Sequence, residues 1–420
     1  MIIKSNEVIK FVNTCEHELK TEFDKINHVE LVCLEKVLNA MNEIGLEERH
    51  LVGSTGYGHN DIGKDITNEI FAKLFNTESA YVSPLFTSGT SGISHTLLGL
   101  LRPNDTMLCI SGTPYDTLST VIHGNGQDNG SLKDFNINYD EIELIKGDFD
   151  YQKIENYLKH HKVKMIYIQR SRGYEWRNAL TIDKIEKVIS FVKNLTNAIV
   201  VVDNCYGEFV ETREPTDVGA DVMVSSMIKN IGGGVATTGA YVAGKKDLIE
   251  RIACHLSSPA LGFDTGSFQL GYRQFLQGLF LAPHVVSEAK KTVRLTSFIM
   301  QKYGYNTIPS LNDELSDIVC AIKFEDKDML INFCTSIQSV SAVDSNAYIV
   351  PSEMPGYEDQ IVMASGSFTQ GSSIELSCDG PIREPYIAYL QGGLCYSHGK
   401  LALINALSKG IIKKKITNKS

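Results

Sequence analysis

The segment Ala198-Ile-Val-Val-Val-Asp203-Asn204 gives the clearest indication of how this chain folds. Its uninterrupted apolar residues are typical of a strand that is buried on both faces of a parallel sheet. An ionised Asp203 at the end of such a strand needs a cation or hydrogen-bond donors, because an unpaired buried charge costs several kcal/mol. A turn or helix N-cap role for Asp203 is the alternative interpretation.

Apolar strand candidates alternate with helical patterns on both sides of this segment, from about residue 81 to residue 281. The alternation predicts an α/β fold whose large domain holds a mostly parallel sheet with helices on both faces. Ligands bind such sheets at the carboxyl ends of the strands. The strands predicted here are 80–83, 106–110, 142–145, 163–169, 198–203, 222–226 and 239–243.

An N-terminal helical segment and a smaller α/β domain flank the large domain. Apolar residues recur at helical spacing in the N-terminal segment. A helical connector at about 267–302 leads to the smaller domain, with strands predicted at 318–324, 347–350, 361–365 and 373–377. We place the helical segment at 1–60, the large domain at 61–285 and the small C-terminal domain at 286–420.

Composition and charge exclude several classes of protein. The 420 residues are 43% hydrophobic and 21% charged, which is ordinary for a folded globular protein. The net charge of −10 offers no basic field to a phosphodiester backbone, so we expect no nucleic-acid partner. The basic run Lys413-Lys414-Lys415, with Lys409 and Lys419, is typical of a solvated tail.

The cysteines and the apolar segments indicate a cytoplasmic protein. Nine scattered cysteines without Cys-x-x-Cys or zinc-like spacing predict free thiols in a reducing compartment and no metal site. Charges interrupt the first ten residues, where a signal peptide needs an apolar core. Because no stretch approaches the ~20 apolar residues of a membrane helix, we expect no membrane partner.

A second strand candidate, Asp221-Val-Met-Val-Ser-Ser226, runs directly into Met227-Ile-Lys229-Asn-Ile-Gly-Gly-Gly234. Lys229 follows Asp203 by one crossover, so both residues are expected at the same edge of the sheet. Desolvation and nearby cations lower the pKa of a lysine and make its amine a nucleophile that forms Schiff bases. A surface lysine in a loop is the alternative.

A third segment, Thr87-Ser88-Gly89-Thr90-Ser91-Gly92, opens an apolar helix that continues to Leu101. The free N–H groups and the positive dipole end of a helix N-terminus suit a phosphate. The segment lacks the Gly-Lys-Ser/Thr ending of a nucleotide P-loop and the Gly-x-Gly-x-x-Gly spacing of dinucleotide folds, so it favours a single phosphate. An ordinary capped helix is the alternative.

Together, the three segments describe one ligand. It carries a monophosphate bound at Ser88, Gly89 and Thr90, a protonated ring nitrogen bound to Asp203, and an aldehyde carbon bound to Lys229. Pyridoxal phosphate has these three groups, and proteins bind it with a Schiff-base lysine and an acidic partner for its ring nitrogen. We therefore predict pyridoxal phosphate as the cofactor.

The chain resembles the fold-type-I pyridoxal phosphate enzymes of cysteine and methionine metabolism over nearly its whole length. It is most similar to the methionine gamma-lyase or aluminium resistance family, also called cystathionine beta-lyase-like. The segments that carry the resemblance are 56–63, 88–90, 202–208, 226–234, 277–284, 383–386 and 389–394. Lys229-Asn-Ile-Gly-Gly-Gly234 and Tyr389-Leu-Gln-Gly-Gly-Leu394 are specific to that family.

The resemblance implies further roles. Tyr115 stacks on the cofactor ring, and Ser226 contacts the phosphate. Tyr57 reaches the phosphate of a neighbouring subunit, which implies a homodimer or homotetramer with shared active sites. Arg383 binds the substrate's α-carboxylate, for which a planar guanidinium is suited. A core aromatic is the alternative for Tyr115, and a surface ion pair is the alternative for Arg383.

Two positions depart from the pattern of the better-known carbon–sulfur lyases. His59 stands where those enzymes have an arginine, two residues after the subunit-crossing tyrosine. Ile228 stands just before the lysine, where they often have a hydroxyl group. We therefore expect a phosphate site that is built differently, and the identity of the substrate stays open.

The resemblance implies a carbon–sulfur lyase that acts on a small amino-acid substrate of the methionine, cystathionine or cysteine type. Lys229 abstracts the α-proton, and β- or γ-elimination yields a keto acid, ammonia and a thiol. A transaminase on the same cofactor and a catalytically weak protein that acts through interactions are the alternatives. A hydrolase built on Cys205 is disfavoured, because the neighbouring Asp203 would raise the pKa of the thiol.

Overall fold

The computed structural model describes residues 2–126, 128–354 and 357–414. Lys415 and Lys419 of the basic run lie outside the described residues. The strands are β1 Ser79–Ser83, β2 Thr106–Cys109, β3 Asn138–Glu141, β4 Met165–Gln169, β5 Ile199–Asp203, β6 Val222–Ser226, β7 Ala240–Gly244, β8 Asn306–Ile308, β9 Val319–Lys323, β10 Ile361–Ala364, β11 Ser377–Pro381 and β12 Ile387–Gln391.

The helices alternate with these strands in the first part of the chain and cover the second sheet in the last part. They are α1 Asn6–Glu18, α2 Lys20–Ile44, α3 Ile62–Leu74, α4 Gly89–Leu100, α5 Asp116–His123, α6 Tyr151–His160, α7 Ile182–Lys193, α8 Lys246–Leu256, α9 Arg273–Lys302, α10 Lys327–Gln338 and α11 Tyr396–Ser408. Among the helices that the structure describes, none combines the length and the apolar character that crossing a bilayer requires.

The large sheet has the strand order β1-β7-β6-β5-β4-β2-β3. The run from β6 to β3 is parallel, and β7 is antiparallel to both of its neighbours. Val201 of β5 packs into a core shared with α4 and α8, whereas Val200 and Val202 pack on the opposite face with α7. Since both faces of β5 are buried, its apolar run is explained and the predicted mostly parallel sheet is confirmed.

The small sheet is antiparallel, with the order β10-β11-β12-β9-β8. Its core contains residues of α1, α9, α10 and α11, so the N-terminal helix α1 packs with the C-terminal half of the chain. Helix α9 contributes to this core and also to the core beneath the large sheet. The predicted boundary between residues 285 and 286 falls within α9, and the domain boundaries stay a prediction.

The strands differ from the sequence-based expectation in five places. Strand β3 lies at 138–141, just before the predicted 142–145, and its residues Asn-Tyr-Asp-Glu are polar because it forms an edge of the sheet. Strand β11 begins where the predicted 373–377 ends. Strands β8 and β12 were not predicted, and 347–350 forms no strand. Polar β11, with Asp, Gly and Pro, is held by pairing with β10 and β12 and not by β-propensity.

A buried salt bridge joins the two sheets. Arg172 follows β4 and Asp317 precedes β9. The Arg172 guanidinium donates a hydrogen bond of 3.0 Å to each carboxylate oxygen of Asp317. Both side chains are almost fully buried. Arg172 also donates to the carbonyl oxygens of Ile308 and Val319, so its charge is compensated from several directions. The pair therefore fixes the small domain against the carboxyl end of the large sheet.

We expect Asp317→Asn to lower the free energy of unfolding by about 3 to 5 kcal/mol, because it leaves the buried Arg172 charge without its partner. The shift of the urea midpoint measures this loss. The exposed pair Arg213–Asp183 is the control, and Asp183→Asn should cost less than about 1 kcal/mol. Equal, small shifts in both variants would contradict a structural role for the buried pair.

Candidate active site

A cavity of about 430 Å³ lies where β5 and β6 end. Loops of the large sheet line one side, and residues of β9, β11 and β12 from the small sheet line the other. The structure brings together in this cavity seven residues that the sequence singled out: Ser88, Gly89, Thr90, Tyr115, Asp203, Ser226 and Lys229. The expectation that Asp203 and Lys229 share one edge of the sheet holds in the structure.

The phosphate-binding candidate is the N-terminus of α4. Ser88 caps the helix, since its Oγ accepts a hydrogen bond from the Ser91 N–H at 3.0 Å. The N–H groups of Gly89 and Thr90 have no acceptor within the helix, because they lie in its first turn. Ser226 Oγ is buried and has no hydrogen-bond partner among the described residues. These donors converge on one place and suit an anion.

Gly89 brings the helix N-terminus against the end of β6. A Cβ atom at this position would lie 2.9 Å from Ser226 Cβ, closer than real Cβ contacts come. The absence of a side chain therefore lets the first turn of α4 and the Ser226 hydroxyl share one ligand. Ser88 also caps α4 in the ordinary way, as the alternative interpretation expected. Capping and anion binding are compatible, because the cap uses the Ser91 N–H and leaves the N–H groups of Gly89 and Thr90 for a ligand.

Asp203 ends β5 and is 2% exposed. Its Oδ1 accepts from the Cys205 N–H at 3.0 Å, the turn interaction weighed in the sequence, and its Oδ2 accepts a long hydrogen bond of 3.4 Å from Tyr167 Oη. Burial raises the pKa of Asp203, while the Cys205 N–H and the Lys229 ammonium oppose this shift. A cationic N–H donor from a ligand would complete the shell of this carboxylate.

Lys229 lines the cavity with its Nζ 4.2 Å from the ring centroid of Tyr206. Burial alone would lower the pKa of Lys229, but the acidic groups of Cys205, Tyr206 and Asp203 outweigh it and raise the pKa. This corrects the sequence-based expectation of a lowered pKa. The reason is that the end of β5 and the turn after it place Cys205, Tyr206 and Asp203 beside the lysine, where their acidic groups stabilise its ammonium form.

Close backbone contacts hold the loop that carries Lys229. Gly233 and Gly234 have φ angles of +54° and +71°, which glycine adopts without strain. A Cβ at Gly278 of α9 would lie 2.3 Å from the Gly232 carbonyl oxygen. Helix α9 therefore packs directly on the backbone of this loop, and the Gly232-Gly-Gly234 run is explained by packing.

Two further candidates from the sequence lie around the same centre. The Tyr115 hydroxyl is 3.0 Å from Thr90 Oγ1, and the Tyr115 N–H donates to Gln169 Oε1 at 2.8 Å. The ring is thereby fixed at the cavity wall between the α4 N-terminus and Asp203, a position suited to stacking on a planar ligand. Part of the ring packs against the large core, so the core interpretation is partly correct as well.

Tyr57 and Arg383 do not line the cavity. Tyr57 is 72% exposed and stacks on His59. Arg383 lies on the surface, where its Nη1 is 3.1 Å from Asp359 Oδ2, so the structure shows the ion pair that the sequence left as an alternative. The arginine that does line the cavity is Arg172, which is already bound to Asp317. The roles of Tyr57 and Arg383 stay predictions.

A buried polar network supports the turn after β5. Arg170 donates to Asn204 Oδ1 at 2.8 Å, and Asn204 donates to Glu214 Oε2 at 2.9 Å.

Burial, followed by the Asp203 charge, raises the pKa of Cys205 to about 12. The Cys205 thiol therefore stays protonated near neutral pH, which argues against the hydrolase alternative.

Sequence reasoning assigned no role to several cavity residues, although Tyr206 and Tyr389 lie within the segments that carry the family resemblance. They include the aromatic side chains Tyr174, Tyr206, Tyr357 and Tyr389, and a carboxylate from the small sheet, Asp379. Tyr206 had a signal, because it stands three residues after Asp203; its positive φ of 70° marks a constrained turn. Asp379 had no such signal, because nothing in the sequence shows that β11 folds over the large sheet.

The residues present fit pyridoxal phosphate. A buried hydroxyl without a partner lies beside a helix N-terminus, as a phosphate requires. A buried carboxylate, Asp203, whose Oδ2 has only a long hydrogen bond of 3.4 Å from Tyr167, suits a protonated ring nitrogen. The family model described as methionine gamma-lyase matches residues 8–411.

The chain belongs to the methionine gamma-lyase family. A protein of Bacillus subtilis, YnbB, is 44% identical over 384 residues, 91% of each chain. A crystal structure from Clostridium novyi, named carbon-sulfur lyase involved in aluminum resistance, is 46% identical with a TM-score of 0.92 and covers 97% of this chain and 96% of its own.

Family and fold are thus confirmed. A pyridoxal-5'-phosphate dependent protein of Escherichia coli, YhfS, has a TM-score of 0.63 at 15% identity and covers 92% of this chain and 97% of its own. That likeness shows the fold alone, which is fold type I as predicted. The prediction of pyridoxal phosphate is confirmed at the level of the family and its fold.

We expect Gly89→Ala to weaken the binding of pyridoxal phosphate by about tenfold, since its Cβ would push Ser226 or the helix out of place. The loss of one hydrogen bond to a charged group has this magnitude. Absorbance titration of the apoprotein measures the affinity. Gly99→Ala, in the same helix but away from the cavity, is the control; an equal loss there would show that the effect is on the helix and not on the site.

Proposed function

We propose that this protein is a pyridoxal phosphate-dependent carbon–sulfur lyase that cleaves a sulfur amino acid to a keto acid, ammonia and a thiol. The observation that carries the proposal is the arrangement of three groups in one cavity: Lys229, Asp203, and the α4 N-terminus with the unpaired Ser226 hydroxyl. The description of the similar Clostridium novyi protein as a carbon-sulfur lyase supports the class of reaction.

Four parts of this chain would hold the cofactor. The N–H groups of Gly89 and Thr90 and the Ser226 hydroxyl would bind the phosphate, Tyr115 would cover the ring, Asp203 would bind the ring nitrogen, and Lys229 would bind the aldehyde carbon. When bound, pyridoxal phosphate supplies an aldehyde for an amine and an electron sink for the substrate's α-carbon. Asp203 would support this electron sink by keeping the ring nitrogen protonated.

Lys229 is the proposed general base. With a substrate amine in its place at the aldehyde carbon, the Lys229 amine would be free and positioned to take the α-proton. The electron pair left at the α-carbon allows the C–S bond to break, and the sulfur leaves as a thiol after it receives a proton. Water then hydrolyses the remaining fragment to a keto acid and ammonia. This sequence describes β-elimination. In γ-elimination the sulfur lies one carbon farther away, so a β-proton would also have to be removed before the C–S bond breaks, and a proton would return to the fragment that becomes the keto acid.

The cysteines are consistent with a reducing compartment, and we propose that the protein acts in the cytoplasm. The cysteines that the structure describes are all free. Cys334 and Cys378 lie side by side in the core with their sulfur atoms 3.7 Å apart and remain unbonded. An oxidising compartment would favour disulfides among cysteines of a folded chain.

We expect Lys229→Ala to abolish the visible absorbance of the bound cofactor and the release of keto acid, because the covalent attachment and the base are both lost. Asp203→Asn should bind the cofactor but lower kcat at least about 100-fold, since the ring nitrogen loses its charged partner. The measurements are the absorbance spectrum before and after borohydride, and assays for keto acid, ammonia and thiol.

Lys246→Ala, on the exposed surface of α8, is the control and should behave as the wild type. Full turnover by Lys229→Ala would contradict the assigned base. A keto acid that appears only with an amino acceptor would indicate a transaminase. A colourless protein that binds no pyridoxal phosphate would favour the interaction-protein alternative.

We also propose a homo-oligomer in which Tyr57 completes the active site of a neighbouring subunit. Tyr57 is exposed in a glycine-rich loop, outside its own cavity. Exposed apolar side chains lie on the same loop and on the segment that it contacts, such as Val52 at 67% and Leu270 at 77%. Contiguous exposed apolar side chains of this kind are typical of interaction surfaces.

Mixed oligomers test this arrangement. We expect Tyr57→Ala and Lys229→Ala each to be nearly inactive, and a 1:1 mixture refolded together to recover about a quarter of the wild-type activity. The reason is that half of the dimers are mixed and each mixed dimer has one intact site. A mixture no more active than the average of the two variants would contradict a shared site.

A further inference from the structure

The outer part of the cavity is lined by tyrosines from both domains. The Tyr174 ring lies 5.0 Å from the Tyr389 ring and 5.8 Å from the Tyr357 ring, measured between centroids. The Tyr389 hydroxyl donates to the Tyr174 carbonyl oxygen and fixes the two rings relative to each other. Tyr206, whose ring contacts Lys229, connects this aromatic group to the reacting centre.

One carboxylate, Asp379 of β11, lies among these rings. It is 8% exposed and lines the cavity. Gln391 Nε2 donates to Oδ2 at 3.3 Å and the Tyr174 side chain also hydrogen-bonds to the carboxylate, but Oδ1 has no partner among the described residues. A buried carboxylate with a free oxygen is costly to maintain, so this oxygen indicates a missing donor.

No cation of the described cavity lining pairs with Asp379. The lining contains two basic side chains, Arg172 and Lys229. Arg172 is held by Asp317 at 3.0 Å, and Lys229 belongs to the group around Asp203 and Tyr206. Besides Asp379 and Asp203, the lining contains a third carboxylate, Asp116, whose charge interacts with the Arg383 guanidinium. Burial raises the pKa of Asp379 to about 7, so near neutral pH the outer cavity holds a partly ionised carboxylate among aromatic rings. A positively charged group would stabilise the ionised form of Asp379 and interact with the faces of the rings.

We propose that Asp379 and the surrounding tyrosines bind an ammonium group at the far end of the substrate's side chain. The preferred substrate is then a thioether amino acid with a second amino group beyond the sulfur. The inference rests on the proposed lyase function and names its substrate class. Asp379 is a specificity-determining residue in this arrangement, and the α-amino end of the substrate lies toward Lys229 and Asp203.

Other side-chain ends fit the outer cavity less well. An apolar end, as in a methyl thioether, would cover Asp379 Oδ1 without donating to it and would leave the charge unpaired. An anionic end would be repelled by Asp379 and Asp116. An ammonium group donates a charge-assisted hydrogen bond to the carboxylate and interacts with the faces of the tyrosine rings, so it satisfies both features of the site.

The first test compares matched substrates with the holoenzyme. S-(2-aminoethyl)-L-cysteine and S-propyl-L-cysteine have side chains of equal length and differ in one terminal group, ammonium or methyl. S-(carboxymethyl)-L-cysteine carries an anionic end, and the homocysteine counterparts cover γ-elimination. We expect kcat/KM to be about 10- to 100-fold higher for the ammonium compound than for the methyl compound, the magnitude of a hydrogen bond to a charged group.

Asp379→Asn should reduce this ratio to near one, because the amide keeps the size of the side chain and loses the charge. Glu358→Gln is the control, since Glu358 is an exposed carboxylate that does not line the cavity. Its ratio should remain that of the wild type. A wild-type enzyme that prefers the methyl or the anionic compound, or an unchanged ratio in Asp379→Asn, would overturn the proposal.

Binding of compounds that cannot eliminate separates this inference from the proposed function. L-Lysine is S-(2-aminoethyl)-L-cysteine with CH₂ in place of sulfur, and 2-aminoheptanoate is its uncharged counterpart. By calorimetry, the wild-type holoenzyme should bind L-lysine at least tenfold more tightly than 2-aminoheptanoate. If this holds and no thioether is cleaved, the lyase function fails and the ammonium site stands. If L-lysine binds no more tightly, the ammonium site fails, whatever the enzyme cleaves.

Discussion

The Asp203 carboxylate lies at the end of the central strand of an apolar sheet, and the residues around it are arranged to compensate its charge. Asp203 ends a strand whose two faces are both buried, so water cannot stabilise it. The Cys205 N–H, the Tyr167 hydroxyl group and the Lys229 ammonium stabilise its charge. Each partner is itself constrained: Lys229 sits on a loop packed against α9, and Cys205 belongs to a turn supported by Arg170 and Asn204.

The same electrostatics make cofactor binding and lysine chemistry interdependent. Cys205 and Tyr206 raise the pKa of Lys229 and favour its ammonium form, which is not a nucleophile. While Asp203 has no other cation, its charge adds further stabilisation. A protonated ring nitrogen on Asp203 would remove that stabilisation and leave the burial of Lys229 to favour the neutral amine. The geometry therefore ties the reactive state of the lysine to occupation of the carboxylate, and one pair of residues serves attachment and proton transfer.

Sequence reasoning recovered those features that are encoded locally. Three such features are explained by residues close to them in the sequence: the apolar run before Asp203, the glycines after Lys229 and the small residues at Ser88. Features that depend on distant pairing were missed or displaced: β11 is polar and exists only between β10 and β12, and β3 is a polar edge strand. For the same reason, Asp379 gave no signal, and the surface position of Arg383 depends on how the small sheet sits beside the large one.

This division has a consequence for how function is distributed in the molecule. The groups proposed for chemistry come from the large sheet, where short motifs fix them to strand ends and a helix N-terminus. The groups proposed for substrate choice come mainly from the small domain and its contacts, held in place by the buried Arg172–Asp317 pair. Changes in β11 or in the tyrosine group alter which side chain fits without moving Asp203 or Lys229. Proteins of this family with the same reaction centre can therefore differ in substrate, and the residues that distinguish them are those that local sequence motifs reveal least.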